Sequence, residues 1–308
     1  MISTKNSLLC FFLLMIFPLH AQTEKVFMSG CGWQQVVLLD KATKQVEWSS
    51  DLAADEDCEN ITLTSGGNLL IAYKKGAKLI NAQHQTIWDY PLEEPGELFA
   101  ATQLPDGGFL LAHSGHPAKI IELDKKGQLH KTISFDTEVK GLHGQMRQLI
   151  KSKAGTYIFP IMAKGEVVEL DSNGKEILRF KVEGNPFSVL EMKNGNLLVS
   201  CGDAHSFWEV ERHSGKPIKK TGKNDVEGIS LNFVAQIIET RNNTKLVCNW
   251  NGHVKGKEAE QPTLIEIDDN DQPIWQIYEG NGIGRISCVF QVDAEKVKEY
   301  KYKNIKLK

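Results

Sequence analysis

The sequence predicts an all-β fold: a six-bladed β-propeller of four-stranded blades, closed by a C-terminal strand joining the N-terminal blade. Three observations carry that expectation. A hairpin pattern recurs along the chain, a second turn pattern runs in step with it, and the two ends carry unmatched strands.

The clearest hairpin spans residues 166–179, where Glu166-Val167-Val168-Glu169-Leu170-Asp171 enters Ser172-Asn173-Gly174-Lys175 and Glu176-Ile177-Leu178-Arg179 leaves it. Apolar residues alternate on both sides, and Asn and Gly accept the positive φ angles that a tight turn needs. The pattern returns as Val36-Val37-Leu38-Leu39-Asp40 leading to Trp48, and as Lys78-Leu79-Ile80-Asn81 leading to Trp88. Further copies are Ile120-Ile121-Glu122-Leu123-Asp124, Trp208-Glu209-Val210-Glu211, and Leu264-Ile265-Glu266-Ile267-Asp268 leading to Trp275. The markers advance by roughly the 40–45 residues of a four-stranded blade, stretched where loops are inserted.

The other half of each unit repeats as well. Gly- or Asn-bearing turns precede Leu69-Leu70-Ile71-Ala72, Phe109-Leu110-Leu111-Ala112, Tyr157-Ile158-Phe159, Leu197-Leu198-Val199 and Lys245-Leu246-Val247, and alternating runs precede those turns. Each unit thus holds four strands, a to d. Such a sheet buries both faces only by stacking on its neighbours, which implies a radial array. The first unit offers strands b, c and d at residues 26–29, 36–40 and 46–48 but has no strand a before them. Residues 286–292 form an orphan run with an a-type pattern, so they are expected to complete the first blade and remove the open seam.

Residues 1–21 differ in kind. Lys5 precedes an apolar run from Leu8 to Phe17, and Leu19-His20-Ala21 offers small-residue cleavage before Gln22. This reads as a secretory signal peptide, too short for a stable membrane span. Cys10 is not read as a lipidation site, because Ser7-Leu8-Leu9 lacks small residues before it. Residues 22–294 are then one propeller domain, with no transmembrane segment in the mature chain. Residues 295–308 form a Lys-rich tail expected to be solvated and disordered. The expected location is secreted or periplasmic, and the expected state a monomer. Five cysteines remain after cleavage, Cys31, Cys58, Cys201, Cys248 and Cys288, with no Cys-x-x-Cys pair that would mark a structural zinc site. Cys201 and Cys248 read as small buried strand residues. A formal net charge of -3 gives no electrostatic case for nucleic acid.

Asp40-x-x-Thr43-x-x-x-x-Trp48 resembles the tryptophan-docking repeat of the PQQ-like propellers, and Trp88 and Trp275 end related hairpins one residue shorter. The resemblance implies that the indole locks one blade onto the next. It covers nearly the whole mature chain but specifies fold rather than activity. The chain departs from the quinoprotein dehydrogenases in blade number, and it lacks an adjacent cysteine pair and an evident calcium-quinone site. No PQQ is expected, and no other cofactor. Six blades, export and the Asn-Gly-Asn-Leu-Leu turn also resemble the propeller core of periplasmic arylsulfotransferases, which gather histidines, an arginine and an asparagine at the channel mouth. That family's additional N-terminal domain has no counterpart here.

Propeller topology sends the d–a and b–c connections to one face and the a–b and c–d turns to the other. The d–a and b–c connections are the longer and more individual, notably residues 136–145, 223–232 and 249–262. Individual loops on a repeated scaffold are where binding resides. His113, His116, His143, His205 and His253 fall on that face, while His84, His130 and His213 fall in c–d turns and read as solvated. Arg147 and Arg285 begin inner strands at the same rim. These groups suit a carboxylate, a sulfate or sugar hydroxyls, with Trp33 or Trp250 as an apolar platform. His116, His143, Arg147, His205, Trp250, His253 and Arg285 are therefore the candidate ligand-binding residues.

A plainer alternative stands beside each candidate. A loop histidine can simply bond a neighbouring backbone, either arginine can pair with Glu59 or Asp203, and Trp250 can pack between blades. Three converging histidines would suit zinc, but no His-x-x-x-His pair is present and no metal is expected. There is no Gly-x-Ser-x-Gly elbow, and Asp55-Glu56-Asp57 reads as a solvated acidic loop. The favoured expectation is binding of a small polar ligand, with carbohydrate as the leading class. One rival is an enzyme of arylsulfotransferase-like or polysaccharide-lyase-like type. It would use His143, His205 or His253 as base or transient nucleophile, with Arg147 or Arg285 stabilising an anion. The other rival is a protein-interaction scaffold.

Overall fold

A computed structural model describes residues 24–302 of the chain. Among them are six antiparallel sheets of four strands each, arranged as a six-bladed propeller. Strand a of the first blade is Cys288–Asp293, paired with strand b, Glu24–Gly30. The register runs from Glu24 opposite Asp293 to Ser29 opposite Cys288, so the two ends of the chain close one sheet as expected.

The recurrent Asp or Asn at the end of strand c has a local cause. In the fourth blade the Asp171 carboxylate accepts from the amides of Asn173 and Lys175, and the Asp171 amide bonds the Lys175 carbonyl at 2.8 Å. Asp124, Asp268 and Asn81 cap their turns in the same way. Gly174 sits at φ +86°, where a β-carbon would also meet the Ile133 side chain of the preceding blade at 2.6 Å. The marker in the sequence is therefore a turn cap, and the glycine beside it lets adjacent blades approach.

The core is divided among the seams between blades. In strand b of the second blade (Leu69–Tyr73), Leu69 and Ile71 pack towards the first blade, while Leu70 and Ala72 pack towards the third. The period-2 alternation thus feeds two hydrophobic layers, and the strand is apolar throughout because both its faces are covered. Ile87, Leu129, Ile177, Ile218 and Ile274 are exposed on d strands, which places strand d on the outside and strand a around the channel. The indoles of the three Trp-ended hairpins cross seams. Trp48 donates to the Ala82 carbonyl at 3.0 Å, Trp275 donates to Lys41 at 2.9 Å, and Trp88 stacks on Phe109 at 4.9 Å.

The tail departs from expectation. Residues 294–299 form a short helix, and the chain beyond it packs back onto the first seam. Tyr302 is buried, its ring edge-on to Trp48 and Phe27, and its hydroxyl donates to the Gly67 carbonyl at 3.0 Å. Lys296, Lys298 and Lys301 stay outside while Val297 and Tyr302 supply apolar surface, a pattern hidden by the charge of the segment. The expected signal peptide, Cys10 and residues 303–308 lie outside the described residues. Among the described residues no helix is long and apolar enough to cross a membrane. Cys31, Cys58, Cys201, Cys248 and Cys288 are free thiols, and Cys201 and Cys248 are fully buried in the core.

Candidate functional site

At the face carrying the d–a and b–c connections lies a cavity of about 230 Å³. Its wall is aromatic on one side, where Phe187, Phe233 and Trp250 meet edge to face at 5.7 and 5.8 Å. The indole of Trp250 is fixed, because its Nε1 donates to the Cys31 carbonyl of the first blade at 3.1 Å. Four of the seven residues expected from the sequence line this cavity: His143, Arg147, Trp250 and His253.

Arg147 is the anchor. Its guanidinium lies between the rings of Phe99 and Phe187, 4.1 and 5.0 Å from their centroids, and pairs with buried Glu59 at 2.7 Å. The pairing with Glu59 that stood as the plainer alternative for this arginine is thus present. The other amino group of Arg147 lies 3.1 Å from Nδ1 of His143. A guanidinium only donates, so Nδ1 accepts and the His143 proton sits on Nε2. Desolvation, and then the positive charge of Arg147, lower the pKa of His143 to about 4, although the ring remains open to the cavity. His143 is therefore a neutral imidazole presenting a donor.

His253 has the opposite polarity. Its Nδ1 lies 2.9 Å from Oδ1 of Asp203, whose other carboxylate oxygen accepts from the Asn185 amide at 3.2 Å. The carboxylate accepts a hydrogen bond from Nδ1–H, which in the neutral ring leaves Nε2 as a lone-pair acceptor. Trp250 and Phe233 hold the ring edge to face at 4.8 and 5.3 Å. One cavity therefore contains an imidazole donor, an oriented imidazole acceptor and an aromatic wall.

The other three expected residues point elsewhere. His205 adopts φ +55° and bonds the Asn232 carbonyl through Nδ1 at 2.9 Å. His116 reaches the Lys140 carbonyl at 3.0 Å and borders a separate hollow with His113 and Glu94. Arg285 is half exposed, 3.8 Å from Glu279. Trp33 packs against Gly284. His113, expected on the face of the d–a and b–c connections, is buried near the end of a strand, and burial lowers its pKa.

Cys31, Met162, Asn185, Phe187, Asp203, Phe233 and Ser287 also line the cavity. Phe187 and Phe233 begin two of the alternating runs that precede the turns, with nothing in the sequence to mark them as lining. Behind Cys31, its thiol donates to Asp57 Oδ2 at 2.9 Å, the Gly32 amide donates to Asp57 Oδ1 at 2.7 Å, and the Cys31 amide donates to Ser287 Oγ at 3.1 Å. Burial and the charges of Glu59 and Asp57 push the Cys31 thiol up to about 12. Burial also raises the pKa of Glu59, with Arg147 opposing it.

Among solved structures, a protein of unknown function from Bacteroides caccae is 34% identical at TM-score 0.82, over 88% of this chain and 99% of that one. A streptogramin B lyase aligns at 12% identity and TM-score 0.60, over 84% of this chain and 80% of that one. A catalytically inactive histidine-to-alanine variant of virginiamycin B lyase from Staphylococcus aureus, with quinupristin, aligns at 11% identity and TM-score 0.57 over 86% and 88%. At those identities the two lyases share the fold alone. No curated protein sequence gives a significant match. The model of one sequence family spans residues 18–272, and the chain belongs to that family, described as Mal s 1 allergenic protein-like.

Proposed function

We propose that the protein binds a small, ring-bearing polar molecule in the cavity at the mouth of its channel, a monosaccharide or uronate being the favoured class. The observation that carries this reading is the aromatic wall of Phe187, Phe233 and Trp250 facing one fixed donor, His143, and one fixed acceptor, His253. A ring offers apolar faces to such a wall and polar edges to the imidazoles. The cavity is smaller than the ~300–1,000 Å³ of drug-sized sites, which suits one ring rather than an oligomer. The test is a thermal-shift screen of monosaccharides, uronates and single-ring carboxylates. A ligand at 100 times its Kd stabilises by about 2.7 kcal/mol and raises Tm accordingly. The reading fails if no compound raises Tm, or if the rise survives Trp250→Ala and His253→Ala unchanged.

A second reading, proton-transfer catalysis, is favoured by the Asp203–His253 pair. A carboxylate-oriented imidazole with a free Nε2 is a general base, and neutral His143 presents an N–H donor that can stabilise a developing anion within the same cavity. Such a pair suits elimination from a ring carrying a leaving group. Lyase activity belongs to the named propellers of like fold and bears on this chain only through that shared architecture. Turnover that His253→Asn abolishes while ligand binding persists distinguishes an enzyme from a binder.

A further inference from the structure

We propose that Cys31, Asp57 and Glu59 hold one borderline-soft divalent cation, Zn²⁺ by the chemistry of the donors, in the wall of the cavity. One donor atom from each of the three lies within 4.8 Å of the others. They come from two blades: Cys31 from the b–c turn of the first, Asp57 from the connection into the second, and Glu59 from strand a of the second (Cys58–Leu63). The turn is already fixed. The Gly32 amide holds Asp57, Ser287 holds the Cys31 amide, and Trp250 holds the Cys31 carbonyl.

Glu59 supplies the independent observation. Its side chain is 1% exposed, Oε2 is taken by Arg147, and Oε1 has no hydrogen-bond partner. A buried carboxylate oxygen without a partner is costly, and such an atom calls for an absent partner group. On loading, the Cys31 thiolate and the Asp57 and Glu59 carboxylates make three negative charges against the one Arg147 guanidinium, and a dication balances them.

The donor set selects the ion. A thiolate is too soft for Mg²⁺ or Ca²⁺, and two carboxylates are too hard for Cu⁺, which leaves Zn²⁺ as the best match. Zn–S of about 2.3 Å and Zn–O of about 2.0–2.2 Å set tetrahedral donors roughly 3.5 Å apart, so on loading the 2.9 Å contact of Cys31 with Asp57 opens while the wider spacings, none above 4.8 Å, close. The exchange balances: the Cys31 S–H bond breaks, its proton leaves to solvent, and sulfur donates its pair to the metal. Three protein donors leave one position, as in catalytic zinc sites. Cys31 also lines the cavity, so a water or the cavity's ligand can complete the shell from that side.

The experiment uses the chelator-treated protein with metal alone, so it stands apart from any organic ligand. Titration with Co²⁺ is expected to give a thiolate-to-cobalt charge-transfer band saturating at one equivalent, and Zn²⁺ is expected to displace it. Cys31→Ser removes the band, and Glu59→Gln weakens Zn²⁺ binding at least about tenfold, since even second-shell losses cost 10–100-fold. His130→Asn, an exposed change on strand d of the third blade, keeps both, and circular dichroism melts confirm that each variant is folded. The proposal is overturned if the wild type takes up no metal, if its band survives Cys31→Ser, or if Zn²⁺ binds both variants as tightly as the parent.

Discussion

The Arg147 guanidinium donates to Nδ1 of His143 across 3.1 Å, and that contact fixes both the tautomer and the charge of the imidazole. The arginine is itself locked by Glu59 and by two phenylalanine rings. The donor offered to the cavity is thus set by a residue that barely reaches solvent.

His143 should titrate near 4 in an imidazole NMR experiment, well below the ordinary value of 6.5. Desolvation comes first among the causes and the Arg147 charge second, so Arg147→Met should raise the midpoint part of the way. The sign for stability follows from the depressed value. The unfolded chain binds the proton more readily, so this contribution is complete above about 6.5 and is lost as pH falls towards 4. A midpoint near 6.5 in the wild type would remove the argument that His143 is a neutral donor.

The Arg147–Glu59 pair is buried, with side chains 3% and 1% exposed. Removing one partner strands the other, so Arg147→Met should cost about 3–5 kcal/mol in metal-free protein. Replacing both, with Arg147→Met and Glu59→Leu, should recover most of that loss, because two apolar side chains leave no charge unpaired. Urea denaturation of the singles and the double measures the coupling, and additive losses would show that the pair is not a unit.

Much of the fold was legible because each blade announces itself through a capped turn, as Asp171 and Asp124 show. Loop topology also placed His143 and His253 on the same face. It could not give the direction of each side chain: His205 occupies the same kind of connection as His253 yet turns back onto the Asn232 carbonyl. Glu59 and Arg147 are 88 residues apart, and no local pattern brings them together. Phe187 and Phe233 look like any inward strand residue until the ring of blades shows that their side of the sheet ends at a cavity.

Asp203 and His253 are 43% and 55% exposed, so their hydrogen bond contributes little to folding, within about 1 kcal/mol. Asp203→Asn should therefore leave Tm nearly unchanged. It should still lower ligand response or turnover, because an amide can donate to Nδ1 and invert the tautomer that leaves Nε2 free. Paired thermal melts and binding isotherms read the two effects separately. A large Tm loss with binding intact would assign the pair to structure instead.

The segment after the closing strand carries the last prediction. Tyr302 fills the first seam against Phe27 and Trp48 and bonds the Gly67 carbonyl, while Val297 packs in the same cluster. Tyr302→Phe removes only the hydroxyl and should cost about 1 kcal/mol, the net value of one hydrogen bond. Tyr302→Ala should cost about 3–5 kcal/mol, as an aromatic deletion in a core does. Truncation after Glu299 should cost at least as much as the alanine variant, because it also removes Tyr300, which packs against the same cluster and donates to the Ser65 carbonyl at 3.1 Å. A solvated tail would instead make all three changes silent in denaturant melts. The graded series therefore decides whether the first seam is sealed by the pairing of Cys288–Asp293 with Glu24–Gly30 alone or by that pairing and the tyrosine together.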